Sequence, residues 1–318
     1  MRKFIALTAI STVIIAAAYF SSCKGGKSEP KADSKEDSLK KVFERGEYLA
    51  NHVAVCIDCH SIRDTGRFSM PVVPGTEGGG AAFPFTITEF VPGEITPPNI
   101  TPAALKDWTD EDLLKVITRG INKKGDTLFP IMPYHSYSKL AKSDVLAIIA
   151  YIKTLKSIDH TTPPGKLEIP MSMLGPLPDG NLDNNKMPDA SDKVAYGGYL
   201  VTVAACADCH TPMGPDGAPD FSKVFSGGTV FENKLFKVAV VNITPDSATG
   251  IGAWSEEMFV NKFKNNASNE VLNIHPGRQN TFMPWSMYGK MKEDDLKAIY
   301  AFLRTVKPIN NKVEKYPK

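Results

Sequence analysis

Two five-residue strings, Cys56-Ile57-Asp58-Cys59-His60 and Cys206-Ala207-Asp208-Cys209-His210, decide how this chain is read. Two thiols three residues apart, followed at once by an imidazole, have the spacing at which a c-type haem is attached. The thiols add across the porphyrin vinyl groups, and the tether sets the adjacent ring beside the iron. No other residue type supplies the thioethers, and moving the histidine by one position would turn its ring away. The reading is two covalently bound haems, held by Cys56, Cys59, Cys206 and Cys209, with His60 and His210 as axial iron ligands.

Cysteine usage agrees. Of five cysteines, four lie in these strings and the fifth, Cys23, ends an apolar N-terminal segment, so none is left for a disulfide. Four thiols in two pairs would also suit a zinc cage, but that leaves both trailing histidines unexplained. A thioredoxin-like dithiol needs a βαβ context that neither string has.

Each iron needs a ligand on its other side. Met132-Pro133-Tyr134 and Met283-Pro284-Trp285 occupy equivalent places, 72 and 73 residues beyond their histidines. A thioether favours Fe(II) and raises the reduction potential, and the following proline stiffens the loop that presents it. Met132 and Met283 are therefore the expected distal ligands. Met70 and Met213 follow their histidines too closely and do not align. Met173, Met287 and Met291 read as core filler, and His135 and His275 lack a histidine counterpart in the other half.

Self-comparison reveals an internal repeat. Gly46 and Tyr48 align with Gly197 and Tyr199, Asn99-Ile100-Thr101-Pro102 recurs as Asn242-Ile243-Thr244-Pro245, and Trp108-Thr109-Asp110-Glu111 as Trp254-Ser255-Glu256-Glu257. Residues 144–155 (DVLAIIAYIKTL) recur at 295–306 (DLKAIYAFLRTV). The expected plan is a helix into each haem string (38–53, 191–203), then Gly- and Pro-rich loops with strand-like pieces at 83–90, 229–231 and 236–241. A short helix follows, capped by Thr109 with Asp112 and stopped by Gly120. A closing helix, capped by Ser143 in the first half, carries an apolar face at helical period.

The domain reading follows: signal peptide 1–22, lipidated Cys23 with a flexible tether to 37, first domain 38–160, linker 161–190, second domain 191–310 and tail 311–318. Met1-Arg2-Lys3 and the apolar run from Phe4 to Phe20 have signal-peptide character, and Ser21-Ser22-Cys23 resembles a lipobox apart from Phe20. An uncleaved membrane helix is the alternative. Residues 24–37 lack the apolar content to fold. The chain is expected in a bacterial cell envelope, anchored to a membrane and facing the periplasm or exterior. Lys and Arg total 37 against 35 Asp and Glu, scattered without a basic stripe, which excludes a nucleic-acid partner.

Both halves resemble class I cytochrome c domains, which implies a mainly α architecture of two such domains in tandem. The second half also resembles the cytochrome c subunits of membrane-bound alcohol and gluconate dehydrogenases, through Cys206 to Thr211, Gly227-Gly228, Asn242 to Asp246, Thr249 to Ser255 and Met283-Pro284. By that resemblance the first and last helices of each half cross at Gly46 (with Ile148 and Tyr151) and at Gly197 (with Ile299 and Phe302). Asn99, Thr101, Trp108, Asn242, Thr244 and Trp254 become candidates for the haem edge, the Asn and Thr side chains as donors to propionates. That group carries three haems, whereas this chain has two attachment strings.

The resulting expectation is an electron carrier with no catalysis of its own. It would pass single electrons from a membrane or periplasmic dehydrogenase to an oxidase or another carrier. The alternative is a dihaem peroxidase-like enzyme, which needs one open iron.

Overall fold

The computed structural model describes residues 35–82, 93–163, 165–167, 176–215 and 217–317. The signal-type segment, Cys23, most of the tether and the strand-like piece at 83–90 lie outside these residues. Among the described residues no helix is long and apolar enough to cross a membrane.

In the first half, α1 (Lys35–Tyr48) runs into a π-helical turn (Leu49–Val53) and then α2 (Cys56–Cys59). A two-residue strand β1 (Gly93–Glu94), α3 (Pro102–Leu105) and α4 (Asp110–Arg119) follow. Thr109 caps α4 in a reciprocal box with Asp112, and Gly120 ends it in the left-handed conformation at φ 65°, as the sequence pattern predicts. Then come α5 (Tyr134–Tyr137), α6 (Lys142–Ile152) and β2 (Lys166–Leu167), which pairs antiparallel with β1.

The second half opens with α7 (Lys193–Val203) and α8 (Cys206–His210), followed by the antiparallel hairpin β3 (Val230–Glu232) and β4 (Lys237–Ala239). The hairpin lies where strand-like pieces were expected. The half closes with α9 (Glu256–Asn266), α10 (Asn269–Leu272), α11 (Trp285–Tyr288) and α12 (Glu293–Leu303).

The π turn has a cause in the sequence. Gly46 to Cys56 is one residue longer than Gly197 to Cys206, and a single extra residue in a helix is absorbed as a wider turn. The turn keeps Leu49, Ala50 and Val53 facing the core at 0% exposure. Both helices then break at a left-handed residue, Val55 (φ 47°) and Ala205 (φ 50°), which starts each haem string at a new angle.

The helix pairs α1–α6 and α7–α12 cross at Gly46 and Gly197, as the resemblance implies, with the nearest approach made by backbone rather than by an aromatic ring. A Cβ at Gly46 would lie 1.9 Å from the carbonyl oxygen of Ala147, and one at Gly197 lies equally close to that of Ala298. Backbone meets backbone there, so only glycine fits. Phe302 packs on Gly198 rather than Gly197, while Tyr151 does approach Gly46.

One continuous apolar core runs through both halves, from Leu49 and Val145 to Leu200 and Leu303. Helix α5 touches α7, and α11 touches the π turn. Ser143 is not the cap of α6. The helix begins at Lys142, and the Ala141 N–H donates at 3.2 Å to the Tyr199 hydroxyl from the other half. The described stretch 176–190 of the segment joining the halves packs on the first half: Leu182 is buried, Asn185 Nδ2 donates to the carbonyls of Ser138 and Leu140, and Arg119 Nε donates to Pro178 O. The tail past 310 is also held, with the Ala239 N–H on Lys315 O and Tyr316 against the Phe236 cluster.

Candidate haem-binding sites

The two histidines are presented identically. His60 Nδ1 lies 2.7 Å from Pro98 O, and His210 Nδ1 lies 2.8 Å from Val241 O. A carbonyl only accepts, so Nδ1 carries the proton and Nε2 keeps its lone pair, the state in which imidazole binds a metal. Burial pushes the His210 pKa down to about 4, which keeps that ring neutral.

Glycine makes the carbonyl segment reachable. Gly80 N–H donates to His60 O, and Gly227 N–H to His210 O, at 2.9 and 2.7 Å. Both have positive φ (89° and 69°). A Cβ at Gly80 would meet Asn99 N at 2.8 Å, and one at Gly227 would meet Val240 O at 2.4 Å. Only a bare backbone lets the segments at Pro98 and Val241 come this near their histidines.

The methionine loops match as well. Tyr134 N–H donates to Met132 O at 2.7 Å, and Trp285 N–H to Met283 O at 2.8 Å. The intervening prolines have φ/ψ of −79°/55° and −80°/67°, which are inverse γ-turns. Proline's fixed φ builds this turn at little entropic cost. Met132, Met283, Cys56 and Cys206 are all partly buried against the core. Tyr137 and Tyr288, one turn on, donate their hydroxyls to Ala54 O and Ala204 O at 2.7 Å, tying each methionine loop to the residue two positions before a haem string.

The residues therefore fit a covalent haem in each half: two unbridged thiols, a histidine with its metal-binding nitrogen free, and a thioether on a rigid turn. Among the described residues no cluster of three or more His, Cys, Asp or Glu could hold a metal ion.

The haem-edge candidates behave differently from expectation. Asn99 Nδ2 donates to Ile158 O and His160 O, and its Oδ1 accepts from Thr101 N and Oγ1. Asn242 Nδ2 donates to Thr249 Oγ1 and Ile309 O, and its Oδ1 accepts from Thr244 N and Oγ1. Thr101 and Thr244 also receive the N–H groups of Ile158 and Ile309. These side chains clasp the segment that follows each closing helix, which uses the amide donors assigned to propionates. Trp108 and Trp254 are partly buried against the core, and the Tyr300 hydroxyl donates to Trp254 O.

The halves differ at the third residue of each haem string. Asp58 is buried and paired with Arg63 at 3.1 Å. Asp208 is exposed and lies 3.3 Å from Ser136 Oγ, with no basic partner among the described residues; Met213 occupies the place of Arg63. No local sequence pattern marks Arg63 or Ser69, nor the pairs Tyr48–Asp295 and Tyr199–Asp144. The tyrosines and aspartates recur at one constant offset, a signal that was available.

Residues 194–307 match the model of the Cytochrome c family. The second half is thus a cytochrome c domain, which implies covalently attached haem c. Across most of its length the chain is similar to the cytochrome c subunit of alcohol dehydrogenase (quinone) from Gluconacetobacter polyoxogenes, 28% identical over 294 residues (86% of this chain, 58% of the relative). It is likewise 28% identical over 295 residues to the gluconate 2-dehydrogenase cytochrome c subunit of Pantoea cypripedii (86% and 61%). A "Diheme cytochrome c-type" protein of Cereibacter sphaeroides is 26% identical over 271 residues, 80% of this chain and 82% of that protein. The chain spans about three fifths of the length of these two dehydrogenase subunits.

Proposed function

We propose that this chain is a dihaem c-type cytochrome of two tandem domains that passes single electrons from a dehydrogenase to a downstream oxidase or carrier. The observation that carries it is the recurrence, in both halves, of one site: a histidine Nδ1 on a backbone carbonyl and a methionine on a proline-built γ-turn. Cys56 and Cys59 would hold one haem and Cys206 and Cys209 the other, with His60/Met132 and His210/Met283 as axial pairs. Haem c supplies a one-electron Fe(III)/Fe(II) couple. The protein's part is to fix both ligands, exclude water and set the potential through the thioether and burial.

The dehydrogenase partner is suggested by the names of the relatives, and the envelope location with a lipid on Cys23 by the N-terminal sequence. A peroxidase-like reading needs an open iron; a methionine turn stands in both halves, and none of the relatives named above is a peroxidase.

Haem quantitation tests the reading. A pyridine haemochrome assay should give two haem c per chain, falling to one when Cys56 and Cys59, or Cys206 and Cys209, are replaced by Ala. One haem in the unaltered chain would overturn the dihaem assignment.

A further inference from the structure

The loop 63–72 of the first half is drawn out of its own half and seated on the methionine turn of the other. Ser69 is fully buried. Its hydroxyl donates to Met283 O at 2.7 Å and accepts the Trp285 N–H at 2.9 Å, so one side chain bridges both ends of the Met-Pro-Trp turn. The Ser69 N–H donates to Asn280 Oδ1, and Asn280 Nδ2 returns to Arg67 O. Phe68 N–H donates to Ile274 O and Arg67 Nε to Leu272 O, which fixes the loop on either side.

Holding Ser69 there costs backbone strain. Ser69 and Met70 are consecutive non-glycine residues in the left-handed region, φ 63° and 48°, a conformation kept only where its surroundings over-determine it. Arg63 provides that constraint. Its Nη2 donates to Ser69 O at 3.0 Å and its Nε to Met70 O at 2.9 Å, while Nη1 pairs with Asp58 inside the first haem string. A continuous polar chain thus runs Asp58–Arg63–Ser69–Met283, from the attachment string of one haem to the distal turn of the other. The link is not reciprocated at the equivalent place: Met213 replaces Arg63.

We infer that Ser69 is a positioning residue for Met283, and that the first half thereby holds the distal ligand of the second haem more firmly than Met132 is held. The inference rests on the His/Met ligation proposed above. Anchoring both ends of the turn restricts the backbone that carries the thioether, so an incoming ligand must displace a methionine that cannot swing aside freely. Without the hydroxyl, Met283 O and Trp285 N keep only their own γ-turn bond.

The test uses holoprotein carrying Met132→His, in which the first haem gives no ferric iron–methionine charge-transfer band. The band that remains then reports Met283 alone, and imidazole titrates its displacement. Ser69→Ala should bind imidazole at the second haem about tenfold more tightly, equivalent to about 1.4 kcal/mol, with a weaker band before titration. Ser69→Gly, which accepts the left-handed backbone, should behave alike and carries the test should Ser69→Ala not assemble. In the complementary Met283→His background, removing the hydroxyl should leave the Met132 band and its imidazole affinity unchanged. Equal affinities with and without the hydroxyl, or equal loosening of both haems, would overturn the inference while leaving the ligation intact. A Met132→His parent without any band would overturn the ligation itself, and the inference with it.

Discussion

The hydroxyl of Tyr199, on α7 of the second half, donates to Asp144 Oδ2 at 2.6 Å at the start of α6 in the first half. The same bond is made in the other direction, from Tyr48 to Asp295 Oδ2 at 2.6 Å. Each tyrosine also accepts an N–H at the mouth of the helix it reaches, from Ala141 and Lys292 respectively. Burial, helped by the adjoining carboxylates, pushes both phenols well above their ordinary pKa, so they stay protonated donors. The first helix of each half thus caps the last helix of the other, locking the halves by a reciprocal pair.

Tyr48→Phe and Tyr199→Phe each remove a hydrogen bond to a buried carboxylate, a loss of about 1.5–3 kcal/mol. Tyr48→Phe should cost more, because Asp144 retains Arg45. The double variant should turn a single calorimetric transition into two as the halves uncouple. A single transition at an unchanged temperature would show that the pair does not hold the halves together.

Arg45 grips Asp144 with Nε at 3.0 Å and Nη2 at 2.7 Å. Arg45→Ala leaves a carboxylate whose side chain is only 5% exposed without its countercharge, held by the Tyr199 hydroxyl alone among its side-chain donors, and should cost about 3 kcal/mol. Asp144→Asn, which removes the charge with its partner left near solvent, should cost less. Urea unfolding midpoints order the two variants.

Gly46→Ala and Gly197→Ala should be among the most damaging single changes. Each places a Cβ against a helix carbonyl, forcing the crossing apart at about 3 kcal/mol or more. Haem-loaded yield and thermal midpoint read the effect; near-native values for either variant would refute the backbone-on-backbone crossing.

Asn242→Ala should release the segment after α12 without removing a haem ligand. Ile309 O loses its amide donor, and the Thr244 N–H and hydroxyl lose the carbonyl oxygen that accepts them, so amide exchange should quicken at 309–311 and stability fall by about 2 kcal/mol. A shift in haem potential with unchanged exchange would instead restore the propionate role.

What could be foreseen in the sequence was whatever depends on neighbours along the chain. The Thr109–Asp112 box with its stop at Gly120 and the Met–Pro turns are local, and Cys-x-x-Cys-His carries its chemistry in five residues. Ser143 was misjudged as a cap because the Ala141 N–H is satisfied by Tyr199 from the other half. Asn99 and Asn242 were read as facing the haem because no local pattern shows the chain returning at 158–160 and 309–311 to take up their donors. The Ser69 loop was overlooked for the same reason: its partners lie some two hundred residues away. Even the π turn was written in the chain, as the one-residue excess between Gly46 and Cys56, but only the structure shows where the excess is absorbed.

The most direct test of the account is low-temperature magnetic circular dichroism of the fully oxidised holoprotein, integrated per haem. Two low-spin ferric haems, both with the iron–methionine charge-transfer band, are the predicted result, and replacing Met132 or Met283 with Ala should remove one band at a time. A high-spin or bis-histidine signal from either haem in the unaltered protein would contradict paired His/Met ligation and, with it, a carrier built from two equivalent sites.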